Sequence, residues 1–185
     1  MTAGDFTFKD VTPERWPDLA ALFESRGGPK NCWCMVWRPQ PAGAKRQDSQ
    51  GRKALLQARV RQGVSVGILG YCEDLPVAWC SVAPRPTYRN LGGPADAAGD
   101  PEAIWSVVCF FIQRRFRQRG LTDQLLQAAI AHARRKGAKI VESYPVDPDS
   151  PSYRFMGFVS VFERAGFEKI GTAGTRRHVM RLVVA

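Results

Sequence analysis

Apolar and polar positions alternate from Phe6 to Val11, a period of two that predicts a first strand. Thr12 and Pro13 then suit a helix N-cap and first helical position, and Trp16, Leu19, Ala20, Leu22 and Phe23 supply a helical apolar face that Arg26, Gly27 and Gly28 end. The following run, GGPKNCWCMVWRPQPAGAK, is rich in aromatic, Cys and Pro residues and has no clean period. Ala54, Leu55, Ala58 and Val60 restore one over Lys53 to Arg61 and predict a second helix. Gly63 to Tyr71 and Leu75 to Val82 are apolar β-rich runs separated by Cys72, Glu73 and Asp74, the pattern of a hairpin. A Pro- and Gly-rich loop, APRPTYRNLGGPADAAGDPEA, leads out of it, long enough for either a functional role or disorder.

The pattern then changes character. Trp105 to Ile112 is apolar without alternation, which suits a strand covered on both faces. Four arginines between Arg114 and Arg119 lead to Gly120, and beyond it Leu125, Ala129 and Ala133 recur every fourth residue with Leu126 and Ile130 beside them. That is one apolar face of a helix, with Asp123 in its first turn and Gly137 behind a basic last turn. Lys139 to Tyr144 predicts another strand, and the turn-rich PVDPDSPS connects it to a short helix over Tyr153 to Arg164. Phe167 to Gly171 and Arg177 to Val184 predict two closing strands. The order of elements implies one domain, residues 1–185, with a mixed sheet flanked by helices.

The strand, basic turn and helix around Gly120 carry the clearest chemistry. The first amides of a helix lack intrahelical partners and sit at the positive end of its dipole, so anions bind there. A glycine lets backbone approach phosphate closely, and arginines add charge and forked donors. An exposed basic turn can equally be a solvated loop.

Composition narrows the class. The 185 residues with 44% hydrophobic and 24% charged content are those of a globular domain. No apolar run approaches the roughly 20 residues of a membrane span, and the N-terminus has no positive region followed by an apolar one. A cytoplasmic location is expected. Five cysteines, two of them in predicted strands, argue against a disulfide framework, and Cys32 and Cys34 have no second Cys or His pair at zinc spacing. A net charge of +10 raises the possibility of nucleic acid, but the charge is spread over five segments and forms no nucleic-acid motif.

Arg117, Gly120 and Thr122 stand at the spacing Arg or Gln, two residues, Gly, one residue, Gly or Ala, after a strand and before a helix, and FERAGF occupies Phe162 to Phe167. In these motifs and in element order the chain resembles the GNAT superfamily of acyl-coenzyme A dependent N-acetyltransferases. Thr122 departs from the small residue usual at its position. The resemblance implies an α/β (α+β) fold with a mostly antiparallel sheet in which two parallel strands, Trp105 to Ile112 and Lys139 to Tyr144, splay apart to admit acetyl-coenzyme A. Backbone near Phe110 and Ile112 would pair with the pantetheine arm. The stretch Arg117, Gln118, Arg119, Gly120, Leu121, Thr122 and Asp123 would hold the pyrophosphate.

The implied reaction is attack of a free amine on the thioester. Many members place a tyrosine four residues before the glycine of the late motif; this chain has Phe162 there. Tyr153, Ser160 and Tyr144 are the substitute acids. Glu142, a carboxylate inside an apolar strand, is the first candidate base, against the alternative of a structural ion pair. Asp147 is the second and a water chain the third, while His178 and His132 suit packing or surface positions, His132 lying outside the apolar helical face. Trp33, Trp37, Tyr88 and Tyr144 are candidates to embrace an acceptor, and Asp96, Asp100 and Glu102 to attract a cationic one. No metal is expected; a homodimer is possible. A non-catalytic acyl-coenzyme A binding module and a nucleic-acid-associated protein are the competing classes.

Overall fold

The computed structural model describes residues 6–40, 47–94, 100 and 103–184. Its strands are β1 (Phe6–Asp10), β2 (Ile68–Cys72), β3 (Leu75–Pro84), β4 (Ile104–Ile112), β5 (Ile140–Ser143), β6 (Glu168–Ala173) and β7 (Arg177–Val183). The helices are α1 (Trp16–Glu24), α2 (Ser49–Arg61), α3 (Leu121–Arg135) and α4 (Val159–Arg164). The strands form one sheet in the order β1-β2-β3-β4-β5-β7-β6, in which β4 and β5 run parallel and the other neighbours antiparallel.

Helices cover both faces. On one, α3 and α4 pack Leu121, Leu125, Leu126, Ala129, Ala133 and Phe162 against Val82, Trp105, Val107 and Ile112. On the other, α1 and α2 bury Leu19, Phe23 and Leu56 with Trp33 and Trp79. A third cluster, Tyr88, Val108, Tyr144, Met156 and Val179, lies toward β7.

A bulge in β4 explains why its sequence does not alternate. Ser81 pairs with Cys109 while Val82 pairs with Val107, so Val108 is the extra residue. Before it Trp105 and Val107 face α3; after it Phe110 and Ile112 do. An inserted residue shifts the phase of a strand by one and leaves its own backbone outside the ladder.

Two regions differ from the sequence expectation. The helix expected over Tyr153 to Arg164 is a single 3-10 turn, Arg154–Met156, followed by α4. Tyr153 (φ 60) and Gly157 (φ 91) both have left-handed backbone and break it. His132 is buried at 3% exposure, its ring edge-on to Trp105 at 5.6 Å, because the α3 face that meets the sheet is wider than the apolar stripe. Burial pushes His132 down to about 4.

Candidate active site

The parallel pairing of β4 and β5 runs from Ile104↔Ile140 to Val107↔Ser143 and stops there. β4 continues to Ile112, so its β5-facing edge from Val108 onward is an unpaired strand edge. Across the gap Val146 bridges Phe158 in parallel and Arg177 in antiparallel fashion, which turns the chain away from β4. The result is a cleft of about 450 Å³ lined by Phe110, Phe111, Ile112, Arg117, Thr122, Arg154, Phe155, Gly157, Phe158 and Val161.

At the outer end of this cleft α3 begins. Gln118 (φ 60) and Gly120 (φ 69) are left-handed, the kind of backbone from which anion-binding nests are built. A Cβ built on Gly120 meets nothing within 4 Å, so the space above the turn is open. Thr122 lines the cleft from the first turn of α3. These features fit a pyrophosphate: unpartnered amides, a helix N-terminus and room above the glycine. The arginine of the motif does something else. Arg117 Nε donates to the Ile112 carbonyl at 2.9 Å and ties the turn to the end of β4. That bond occupies an oxygen at the strand edge, leaving Phe110 as the other edge residue of the expected pantetheine pair. Asp123 accepts from Arg164 of α4 at 2.7 Å, joining the two helices that flank the cleft. Arg154, which the motifs did not single out, lines the cleft and lies 4.8 Å over the Phe158 ring.

At the inner end, Phe110, Phe111 and Phe155 are shared with a second pocket of about 240 Å³, lined also by Cys32, Cys34, Val36, Trp37, Ser81, Val108 and Cys109. Its walls are almost wholly apolar apart from the thiols and Ser81. Cys34 Sγ accepts from Trp79 Nε1 at 3.0 Å. Among the described residues no group of three His, Cys, Asp or Glu side chains is disposed to hold a metal.

The candidate acid and base residues separate. Phe162 is fully buried, stacked edge-on against Phe167 and 6.1 Å from Phe110, with its ring under Gly157 at the cleft floor. Ser160 is exposed on α4. Tyr153 lies 6.2 Å from Trp37. Glu142 is 2% exposed and accepts from Arg181 Nε at 2.6 Å, from Arg85 at 3.4 Å and from the Tyr144 hydroxyl. Burial first, and then the charge of Glu142, push the Tyr144 phenol upward. Asp147 and His178 are brought together, Oδ2 to Nε2, at 2.9 Å.

Of the acceptor candidates, Trp37 and Tyr144 lie near one another through Arg177, whose guanidinium is 4.6 Å over Trp37 and 5.9 Å over Tyr144. Trp33 belongs to the core, stacked on Trp16 at 5.9 Å. Asp96 and Glu102 lie outside the described residues.

An interrupted strand edge, an open helix N-terminus at one end and an apolar pocket at the other make up the candidate site. The chain belongs to the acetyltransferase (GNAT) family, whose model matches residues 30–167. No curated protein matches the sequence. Among solved structures the fold is similar to an aminoglycoside acetyltransferase, AAC(6')-Ib, in complex with coenzyme A (14% identity, 97% of this chain and 95% of that one, TM-score 0.61). It is similar also to an acetyltransferase from Thermus thermophilus (16%, 100% of both chains, 0.59) and to yncA of Salmonella typhimurium with its cofactor acetyl-CoA (13%, 97% and 94%, 0.54).

Proposed function

We propose that the protein transfers an acetyl group from acetyl-coenzyme A to a primary amine of a small molecule or peptide by direct attack. The observation that carries this reading is the unpaired β4 edge, Val108 to Ile112, leading from the Gly120 turn to the apolar pocket. The pantetheine arm would lie along that edge as an added strand, with its pyrophosphate on the amides of Gln118 to Asp123. The thioester would then reach the Val108 bulge, where backbone left out of the ladder can donate to the developing oxyanion.

A neutral amine nitrogen attacks the thioester carbon; the N–C bond forms, the C–S bond breaks, and coenzyme A leaves as thiolate. The attacking nitrogen loses a proton that solvent takes up. Glu142 already accepts from two guanidinium groups and a phenol, the arrangement of a satisfied acceptor, so we assign it to positioning Tyr144 and fixing β5 to β7. Position 162 offers no phenol, and the thiolate leaves without an acid from it. The test is incubation with acetyl-coenzyme A and a panel of amines, with the acetylated product identified by mass spectrometry. Acetyl-coenzyme A bound but never transferred to any amine would instead support a non-catalytic binding module.

A further inference from the structure

A further pocket of about 490 Å³, built on the third core cluster through Tyr88, Leu91 and Tyr144, is lined also by Arg85, Pro86, Arg89, Asn90, Gly92, Gly93 and Pro94. Its charged lining side chains are arginines. Arg89 of this lining lies 5.2 Å over the ring of Trp37, which lines the apolar pocket, so the two spaces approach one another at this contact. Arg177 packs on the same ring and donates to the Leu91 carbonyl at 2.8 Å.

Behind Tyr88, a lining residue of this pocket, is Arg38, 1% exposed. One of its nitrogens donates to the Val66 carbonyl at 2.8 Å, to Ser81 Oγ at 3.1 Å and to Tyr88 Oη at 3.4 Å, and its guanidinium lies 4.6 Å over the Tyr88 ring. The other two nitrogens, Nε and Nη1, have no hydrogen-bond partner, nor has the neighbouring Trp37 Nε1. Arg38, Arg89 and Arg177 have no carboxylate partner among the described residues. Buried donors are nearly always satisfied, and a buried cation without a counter-ion is costly. Here three buried donors lack acceptors beside two further guanidinium groups. Glu142, the carboxylate beside Arg85, is already engaged by Arg181 and the Tyr144 hydroxyl and serves none of these donors.

We infer that the acceptor is an amine that carries an anionic group, a carboxylate or a phosphate, bound in the Arg89 pocket with its amine directed along Trp37 toward the thioester. This rests on the acetyltransferase reading and names its substrate class. Carboxylate and phosphate both match the forked donors that Arg89 presents in the lining, and their charge offsets that of the unpaired Arg38 packed behind Tyr88. A cationic acceptor such as a polyamine would meet Arg89 in the lining, with Arg38 and Arg177 behind it, and is disfavoured by these charges.

The experiment compares matched amines: L-amino acids with their decarboxylated counterparts, O-phosphoethanolamine with ethanolamine, and putrescine. Product is quantified by mass spectrometry, and acetyl-coenzyme A affinity is measured separately by calorimetry. The carboxylate or the phosphate member of a pair should have kcat/KM at least tenfold above its neutral or cationic counterpart, and the pair that responds identifies which anion. Arg89→Gln should lower kcat/KM for that member by roughly tenfold to a hundredfold, chiefly through KM, and leave acetyl-coenzyme A affinity unchanged. Arg89→Lys should recover part of the loss. Preference for ethanolamine, decarboxylated amines or putrescine overturns the inference while leaving the acetyltransferase reading intact, as does no turnover of any anionic member. Failure to bind acetyl-coenzyme A overturns that reading itself.

Discussion

Gly120 offers a clean separation of backbone strain from charge. Its φ of 69° is left-handed, and a Cβ there meets nothing within 4 Å, so substitution meets no steric block at the turn. Gly120→Ala therefore costs only the conformational penalty of an L-residue in that region, about 1 to 2 kcal/mol. It should appear as a Tm lower by roughly 2 to 8 °C, with acetyl-coenzyme A affinity changed less than tenfold. Gly120→Glu carries the same backbone cost and adds one negative charge beside the two of the pyrophosphate. At about 6 Å and an intermediate effective dielectric of about 40, each repulsion is about 1.4 kcal/mol, so the pair amounts to about 3 kcal/mol or roughly a hundredfold in Kd. Gly120→Lys keeps the strain and reverses the sign. Calorimetric titration with acetyl-coenzyme A should rank affinity Lys at or above Ala and Glu far below, with the Glu deficit shrinking as salt rises. Equal Kd values for the Glu and Lys variants would refute the placement of phosphate at this turn.

Glu142→Gln leaves Arg85 and Arg181 beside a neutral amide in a buried site, and thermal unfolding should register a loss of about 3 kcal/mol; unaltered stability with kcat reduced more than a thousandfold would make Glu142 the base. His132 is held near 4 by burial, below its ordinary 6.5. Its neutral form is the folded one, so its contribution to stability is complete above pH 6.5 and is lost as pH falls from there toward 4, by up to about 1.4 kcal/mol per unit. The stability profile of His132→Gln over that window should be correspondingly flatter. Cys34, whose thiol is raised by its contact with Cys109 and by burial, and Cys32, raised by its contact with Cys34 and by burial, should resist iodoacetamide at pH 7 in the folded protein and react on unfolding, as peptide mapping would show.

The order of elements and the turn at Gly120 were legible because they follow from local pattern: alternation, fourfold periodicity and a glycine behind a basic run; the parallel pair came only from the family resemblance. The β4 bulge was not, because an apolar strand covered on both faces has no polar residue to mark a change of phase; only pairing with β3 exposes Val108 as the extra residue. Arg117 stands in the motif, yet its side chain bonds to Ile112, a contact that spacing cannot announce. Glu142 could be singled out as a carboxylate in an apolar strand, but its two arginine partners come from 57 and 39 residues away in sequence. Trp33 and Trp37 belong to the same aperiodic segment, and one enters the core while the other lines a pocket. Arg38 and the basic pocket depend on the same long-range packing; composition showed the excess charge without its place.

A crystal structure with acetyl-coenzyme A bound tests the central claim most directly. The pyrophosphate should lie within hydrogen-bond distance of the amides between Gln118 and Asp123, with the pantetheine arm paired to the β4 edge between Val108 and Ile112 and the thioester at the mouth of the apolar pocket. A cofactor bound elsewhere, or one that leaves that edge and the Gly120 turn untouched, would contradict the account.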